Sequence, residues 1–152
     1  MSNQTEILNK AKQRALANQH SYAGALTPEE AHAYMQANPE ALLVDVRSLA
    51  ELELVGRVPN ALHIEWAFYP GMVANPNFNK QLIEQIDKNS PVIFMCRTGG
   101  RSHNAAVVAA SVGYTQSFNM LEGFEGDVNA EQQRTMVNGW KHASLPWTHA
   151  KK

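Results

Sequence analysis

Cysteine chemistry is the reaction type that the residues of this chain indicate most directly. The chain has one cysteine, Cys96, and the residues that follow it are Arg97, Thr98, Gly99, Gly100, Arg101 and Ser102. Glycines allow a backbone to curl so that successive N–H groups point inward and form a nest, which binds an anion. The two arginines place cations beside the sulfur, and both effects favour a nucleophilic thiolate. We therefore expect Cys96 to be the catalytic residue and the segment from Arg97 to Arg101 to be the substrate-binding loop.

Two regular elements are predicted to hold this loop. The preceding run, Pro91-Val92-Ile93-Phe94-Met95, is short and apolar, as in a strand that is buried on both faces. After the loop, the Ala- and Val-rich segment from Asn104 to Val112 predicts a helix that is closed by Gly113. Unpaired N–H groups and the positive end of the dipole at a helix start stabilise an anion. A strand would thus deliver the cysteine to a loop that opens into a helix.

The rest of the chain predicts further strands that alternate with helices. Helices are expected at residues 6–19, 28–37 and 78–86, and strands at residues 41–46 and 117–121. Thr27, Pro28 and Glu30 have the order of a helix N-cap, a first helical position and a capping box. Such alternation indicates an α/β fold whose parallel sheet is covered on both faces. Ligands of these sheets bind at the carboxyl ends of the strands, which is where Cys96 falls.

Composition and charge argue against several classes of function. The 152 residues suit one domain, and thirteen Lys and Arg against fourteen Asp and Glu leave a net charge of −1. This balance gives no overall attraction to nucleic acid or to an anionic membrane. No apolar run is long enough to cross a bilayer, and the first residues lack the pattern of a secretion signal. We therefore expect a cytoplasmic protein with neither nucleic acid nor membrane as its partner.

Metal and cofactor sites are also not expected. A single cysteine excludes an internal disulfide, a Cys-x-x-Cys redox pair and a cysteine-type zinc site within one chain. The six histidines lack the spacing of metal ligands, and the loop lacks the Gly-x4-Gly-Lys-Ser/Thr pattern of a nucleotide phosphate loop. The sequence therefore predicts a function without a metal or another cofactor.

The spacing within the loop separates two kinds of cysteine chemistry. Tyrosine phosphatases and their relatives have Cys-x5-Arg, which would need an arginine at position 102, where this chain has Ser102. The spacing from Cys96 to Arg101 is Cys-x4-Arg, a smaller loop with a tighter ring of N–H donors. It resembles the active-site loop of rhodaneses, which encloses the outer sulfur of a persulfide. The loop sequence, which begins Cys-Arg and is followed by Ser, is similar to that of single-domain thiosulfate sulfurtransferases.

The resemblance to the rhodanese family extends to segments far from the loop. The family's Asp-Val-Arg, Glu and Gly-His-Ile-Pro-Gly-Ala pattern is similar to Asp45-Val46-Arg47, Glu51 and Gly56-Arg57-Val58-Pro59-Asn60-Ala61. This chain differs by one extra residue before Gly56, by Arg57 in place of the histidine and by Asn60 in place of the second glycine. Leu121-Glu122-Gly123 resembles the start of Leu-Glu-Gly-Gly-Trp, with residues 124–138 as an insertion. We expect a rhodanese-like domain over residues 26–152, preceded by an N-terminal helical extension over residues 1–25.

This resemblance implies both a fold and a reaction. The fold would be a rhodanese-like α/β fold, with a five-stranded parallel sheet and helices on both faces. The reaction would be that of a thiosulfate sulfurtransferase, in which thiosulfate or a similar anionic donor passes its sulfane sulfur to Cys96. The resulting persulfide would then give the sulfur to a thiol or to cyanide. Three alternatives stay open: a small cysteine phosphatase or arsenate reductase on the same scaffold, a relay to a sulfur-acceptor protein, and a binding module without chemistry.

Four residues are expected to support the loop rather than to react. Asp45 and Arg47 lie at the end of a predicted strand, where a buried charge needs a partner, and Glu51 is the expected partner of Arg47. Ser102, directly after the loop, completes the set. A further group of large apolar side chains follows the strand predicted at residues 41–46. We expect these side chains to belong to the core or to a lid packed on it, and the second possibility is that they form a wall of the substrate pocket. The group consists of Trp66, Phe68, Tyr69, Met72 and Phe78.

Overall fold

A five-stranded parallel sheet forms the centre of the fold. The computed structural model describes residues 2–150, and the strands of this sheet are β1 (Gly24–Leu26), β2 (Leu42–Asp45), β3 (Leu62–His63), β6 (Val92–Met95) and β7 (Ser117–Met120). A separate antiparallel hairpin consists of β4 (Ala67–Phe68) and β5 (Val73–Ala74). The order in the sheet is β1-β7-β6-β2-β3, which places β6 in the middle. The predicted α/β fold with a five-stranded parallel sheet is confirmed.

Residues 2–150 contain five helices, and all but the first lie between two strands. They are α1 (Ser2–Ala17), α2 (Pro28–Ala37), α3 (Leu49–Val55), α4 (Phe78–Gln85) and α5 (Gly100–Ser111). Helix α2 begins with the predicted capping box, in which the Thr27 hydroxyl accepts from the Glu30 N–H and the Glu30 carboxylate accepts from the Thr27 N–H. Helix α3 begins in the same way with Ser48 and Glu51. Both helix starts are therefore fixed by side chains that satisfy otherwise unpaired N–H groups.

The helices lie on both faces of the sheet because its central strands are apolar on both sides. Val92 and Phe94 of β6 pack with side chains of α4 and α5, whereas Ile93 and Met95 pack with side chains of α2. All four of these strand residues are fully buried. Alternate side chains of a strand point to opposite faces, and so a strand between two helix layers is apolar throughout.

Helix α1 packs against the edge of the same sheet. Ala11 and Ala15 are buried, and a Cβ added to Gly24 of β1 would lie only 2.8 Å from the Cβ of Ala11. The predicted boundary between residues 25 and 26 falls inside β1. The helix before this boundary is thus joined to the sheet by close backbone packing.

Several elements differ from those that the sequence predicted. Helix α5 begins at Gly100 rather than at Asn104, so the helix start lies within the cysteine loop itself. Strands β1 and β3 and helix α3 were not predicted, because elements of three, two and seven residues, respectively, are too short to show a periodic pattern. None of the helices within residues 2–150 is long and apolar enough to cross a membrane.

Candidate active site

Cys96 lies at the carboxyl end of the central strand. It follows Met95, the last residue of β6, and β6 is paired on one side with β2 and on the other with β7. Its side chain is 1% exposed, and the cysteine is free. This is the position at which parallel sheets with helices on both faces bind their ligands.

Two backbone N–H groups donate hydrogen bonds to the Cys96 sulfur. The Gly99 nitrogen lies 3.1 Å from Sγ and the Ser102 nitrogen lies 3.3 Å from it. Gly99 is the N-cap of α5 and has a φ of +113°, a left-handed conformation that favours glycine. The sulfur therefore sits at the N-terminus of a helix, where N–H groups and the helix dipole stabilise a thiolate.

The loop is supported from behind by the segment that follows β7. The N–H of Phe124 donates to the Cys96 carbonyl at 2.8 Å, and the N–H groups of Glu125 and Gly126 both donate to the Arg97 carbonyl at 3.1 Å. Gly123 has a φ of +73°, and a Cβ there would overlap the Arg97 backbone. The Leu-Glu-Gly resemblance marked this segment, but the sequence did not indicate that it touches the cysteine loop.

Ser102 links the sulfur to the neighbouring strand. Its hydroxyl donates to Asn119 Oδ1 at 2.6 Å, while the Cys96 thiol donates to the Ser102 hydroxyl over 3.4 Å. Asn119 belongs to β7, is buried, and donates from Nδ2 to the Gly99 carbonyl at 3.4 Å. Asn119 was missed by sequence reasoning. A polar side chain between the apolar residues Phe118 and Met120 of a predicted strand was the signal that could have identified it.

The Glu51 carboxylate binds Arg101 rather than Arg47, which corrects the pairing expected from the sequence. Arg101 donates from both terminal nitrogens to Glu51, at 2.8 and 2.9 Å. Arg47 instead binds Asp45, with 2.6 Å between Nη2 and Oδ2. Asp45 is two residues from Arg47 at the end of β2, whereas Glu51 lies in the first turn of α3 and faces the cysteine loop.

This contact changes the acidity of Glu51. Burial on its own would raise the pKa of the Glu51 carboxyl, but hydrogen bonds from Arg101 and Ser48 outweigh burial and lower the pKa from 4.5 to about 2. Glu51 is therefore ionised at neutral pH, and its charge neutralises that of Arg101.

Arg97 differs from Arg101 in its exposure and in its lack of an ion-pair partner among the described residues. It is exposed, and within residues 2–150 its guanidinium has no ion-pair partner. Thr98, the next residue, is half-buried in the same loop. Gly100 is exposed, has no positive φ, and would leave an added Cβ in open space. Of the two glycines that the sequence assigned to the curl of the loop, Gly99 alone has a backbone that favours glycine.

The Asp45–Arg47 pair ties several segments together beneath the loop. The Arg47 side chain is 0% exposed, donates to both oxygens of Asp45 and donates from Nη2 to the Gly56 carbonyl at 2.8 Å. Its guanidinium also stacks over the Phe124 ring, 4.2 Å from the centroid. These contacts join β2 to the end of α3 and to the segment after β7. The Asp45–Arg47 pair therefore supports the segments that lie beneath the cysteine loop.

The five large apolar side chains singled out after β3 fall into two groups. Trp66 and Phe78 pack together in the core, with ring centroids 4.9 Å apart. Phe68, Tyr69 and Met72 are exposed instead. Tyr69 and Met72 line a groove of about 390 Å³ that also includes Arg97 and Arg101. The second possibility raised from the sequence, a wall of the substrate pocket, thus stays a prediction for Tyr69 and Met72.

The geometry describes a buried cysteine at a helix start. Within residues 2–150, no three His, Cys, Asp or Glu side chains are placed so that they could hold a metal ion. A parallel α/β sheet that presents such a cysteine in a Cys-x4-Arg loop defines a domain of the sulfurtransferase type. The chain belongs to the rhodanese-like domain family, whose model matches residues 27–130.

Similar proteins agree with this assignment. The uncharacterized protein RP600 of Rickettsia prowazekii is 33% identical over 112 residues, which are 72% of this chain and 85% of that protein. A thiosulfate sulfurtransferase GlpE of Glaesserella parasuis is 30% identical over 106 residues, 70% of this chain and 87% of that protein. The crystal structure of Rv0390 from M. tuberculosis is 41% identical, with a TM-score of 0.79, and the match covers 85% of this chain and 99% of that one.

Proposed function

We propose that this protein is a thiosulfate sulfurtransferase that carries sulfane sulfur as a persulfide on Cys96. The observation that carries the proposal is the pair of hydrogen bonds from the Gly99 and Ser102 N–H groups to the Cys96 sulfur. They stabilise the thiolate that must attack the donor. Similarity to the GlpE thiosulfate sulfurtransferases supports thiosulfate as the donor to test first.

The reaction has two displacement steps. In the first, the Cys96 thiolate attacks the outer sulfur of thiosulfate, the S–S bond of the donor breaks, and sulfite leaves with the bonding electron pair. In the second, a thiol or cyanide attacks the outer sulfur of the Cys96 persulfide and restores the thiolate. Since residues 1–152 contain one cysteine, the acceptor must be another molecule. We propose a small thiol or cyanide as that acceptor, with a thiol of another protein as the alternative.

Loop residues have distinct parts in this proposal. The N–H groups near the start of α5 would hold the outer sulfur of the persulfide, because the first N–H groups of a helix have no intrahelical partner. Arg97, which is exposed and unpaired within residues 2–150, would attract the anionic donor. Arg101 would act mainly by holding Glu51 and α3 against the loop.

Phosphatase chemistry is less well supported by the same geometry. A phosphatase of this type needs a free guanidinium that binds two oxygens of a phosphate in a fork. In this chain both terminal nitrogens of Arg101 already donate to Glu51. The Cys-x4-Arg loop is also one residue shorter than the Cys-x5-Arg loop of tyrosine phosphatases.

Turnover of thiosulfate and cyanide to thiocyanate tests the proposal. The unaltered protein should form thiocyanate, and Cys96→Ser should form none while it unfolds at the same temperature. The same samples should not hydrolyse an aryl phosphate. Hydrolysis of the phosphate together with absence of thiocyanate would replace the proposal with the phosphatase alternative, and absence of both would favour a binding module.

A further inference from the structure

Three ring side chains form a cluster beside the start of α5. His20 and Tyr22 belong to the connection between α1 and β1, and His103 is the fourth residue of α5. The ring centroids of His20 and Tyr22 lie 5.0 Å apart, and those of His20 and His103 lie 4.6 Å apart. The Tyr22 oxygen and Nδ1 of His103 are 2.8 Å apart, within hydrogen-bond distance. Two of the three residues precede residue 27, where the match to the family begins, so the family match gives them no role.

A line of hydrogen bonds joins this cluster to the Cys96 sulfur. The Cys96 thiol donates to the Ser102 hydroxyl over 3.4 Å, and that hydroxyl donates to Oδ1 of Asn119 at 2.6 Å. Burial raises the pKa of Tyr22, and a hydrogen bond with Asn119 opposes this rise. The Tyr22 hydroxyl then reaches His103. Five side chains therefore connect the imidazole to the sulfur, and all four hydrogen bonds between them lie behind the cysteine loop.

The hydrogen bonds of this line share one direction when His103 is neutral. A neutral imidazole accepts at one ring nitrogen, and here Nδ1 faces the Tyr22 hydroxyl. If Tyr22 donates to that nitrogen, its oxygen is left to accept from the amide of Asn119. Asn119 then presents Oδ1 to the Ser102 hydroxyl, which has one proton and gives it to this oxygen. The Ser102 hydroxyl can accept from the Cys96 thiol in this state, but it cannot donate to a thiolate.

We propose that Tyr22 and His103 are positioning residues that act through Asn119 to set the direction of the Ser102 hydroxyl, and with it the acidity of Cys96. The inference rests on the proposed function in that it takes Cys96 as the nucleophile. Protonation of His103 places a proton on Nδ1, so the Tyr22 oxygen becomes the acceptor and the Tyr22 proton turns away from the imidazole. Asn119 is then no longer held with Oδ1 towards the hydroxyl, which becomes free to donate to the thiolate.

The charges around His103 keep its imidazole neutral at neutral pH. Burial lowers the pKa of His103 below its usual 6.5, and the charge of His20 lowers it further. The titratable groups that face it from the connection between α1 and β1 are His20 and Tyr22. On the side of β7 lies Asn119, which has no charge, and Arg101 of α5 already has a carboxylate partner. None of the ion pairs within residues 2–150 includes His103.

The rate at which iodoacetamide alkylates Cys96, measured over a series of pH values, tests the proposal. Tyr22→Phe keeps the ring and removes the hydroxyl, so the rate at neutral pH should rise by about fivefold, the factor that one hydrogen bond of ordinary strength gives. Below the pKa of His103, the unaltered protein has already released Asn119. The ratio of the two rates should therefore fall towards one in acid, which a general change in packing would not produce.

Substitutions of His103 test the acceptor itself. His103→Leu removes the acceptor and should raise the rate at neutral pH, as Tyr22→Phe does. His103→Asn keeps an acceptor oxygen near the place of Nδ1 but does not titrate, so its rate at neutral pH should stay close to that of the unaltered protein. The matched controls, both in α2, are Tyr34→Phe at a second buried tyrosine and His32→Leu at a second half-buried histidine. Both controls should leave the rate unchanged.

Each outcome either supports the proposal or overturns it. A Tyr22→Phe rate equal to that of Tyr34→Phe at every pH would overturn it, and so would a ratio that stays constant from neutral to acid pH. A raised rate at neutral pH in His103→Asn would show that His103 is not the acceptor. Melting temperatures identify a variant that does not fold, and the pH profile of His103→Asn then decides alone. The expected alkylation pattern without any sulfur adduct on Cys96 would overturn the proposed function and leave this inference standing.

Discussion

Replacement of Arg47 by alanine is expected to destabilise the fold rather than to remove a reacting group. Arg47 is 0% exposed, and its partner Asp45 is 1% exposed, so the variant leaves a buried carboxylate without its cation. The variant also removes the hydrogen bond to the Gly56 carbonyl and the contact over the Phe124 ring. The Arg47 backbone N–H still donates to Asp45 at 3.1 Å, which compensates only in part.

The expected loss can be estimated from these contacts. Removal of one partner from a buried ion pair costs about 3 to 5 kcal/mol of unfolding free energy. For a chain of about 150 residues, each kcal/mol lowers the melting temperature by about 2 to 4 °C. Arg47→Ala should therefore melt roughly 6 to 20 °C below the unaltered protein.

Urea and thermal unfolding followed by circular dichroism measure this loss. Lys80→Ala, at an exposed position of α4, is the matched control and should change the unfolding free energy by less than about 0.5 kcal/mol. A double variant, Asp45→Asn with Arg47→Met, removes both charges and should be more stable than Arg47→Ala alone. If Arg47→Ala is as stable as the control but cannot transfer sulfur, the pair belongs to the chemistry and our structural reasoning is wrong.

Four further variants test predictions about the residues around the loop. Gly123→Ala should cost more than about 2 kcal/mol and most of the activity, because its left-handed backbone and its contact with the loop exclude a Cβ. Gly100→Ala, whose added Cβ meets open space, should change the unfolding free energy by less than about 0.5 kcal/mol. Glu51→Gln should weaken the dependence of the unfolding free energy on pH between pH 5 and pH 2. Urea unfolding at steps of about one pH unit measures this dependence. Asn119→Ala should raise the rate of Cys96 alkylation at mildly acidic pH by about tenfold, because the Ser102 hydroxyl becomes free to donate to the thiolate.

The direction of the Glu51 effect follows from its lowered pKa. The carboxyl titrates at about 2 in the folded chain and near 4.5 when it is unfolded, so its stabilisation is present above 4.5 and is lost as the pH falls towards 2. A shift of this size corresponds to at most roughly 3 kcal/mol, and solvent screening of the partly exposed ion pair with Arg101 reduces this value. Equal acid unfolding curves for Glu51→Gln and the unaltered protein would contradict the contact with Arg101. Likewise, unchanged alkylation in Asn119→Ala would show that Asn119 does not control the Ser102 hydroxyl.

The sequence predicted the parts of the fold and site that depend on local pattern. The apolar runs of β2 and β6 and the capping box at Thr27 are strong local signals, and all three elements form where they were expected. The family resemblance implied the five-stranded parallel sheet with helices on both faces, which the structure has. Strands β1 and β3 could not be predicted, because their two or three residues become strands only through pairing with β7 and β2.

Side-chain partners in the site depend on which elements meet in three dimensions. Glu51 and Arg101 are 50 positions apart, and α3, which carries Glu51 to the loop, was not predicted as a helix. Arg47 was therefore paired with Glu51, although its partner in the structure is the nearer carboxylate, Asp45. Asn119 was missed for the same reason, since its contact with Ser102 exists only because β7 lies beside β6.

The intact mass of the protein after incubation with thiosulfate, without an acceptor, tests the central claim most directly. The reaction should stop after the first step, so that the mass rises by one sulfur atom and peptide analysis places that atom on Cys96. Addition of cyanide should restore the starting mass, and Cys96→Ser should never gain the sulfur. A protein that gains no sulfur from any sulfane donor, but hydrolyses an aryl phosphate at Cys96, would contradict the persulfide chemistry proposed for this site.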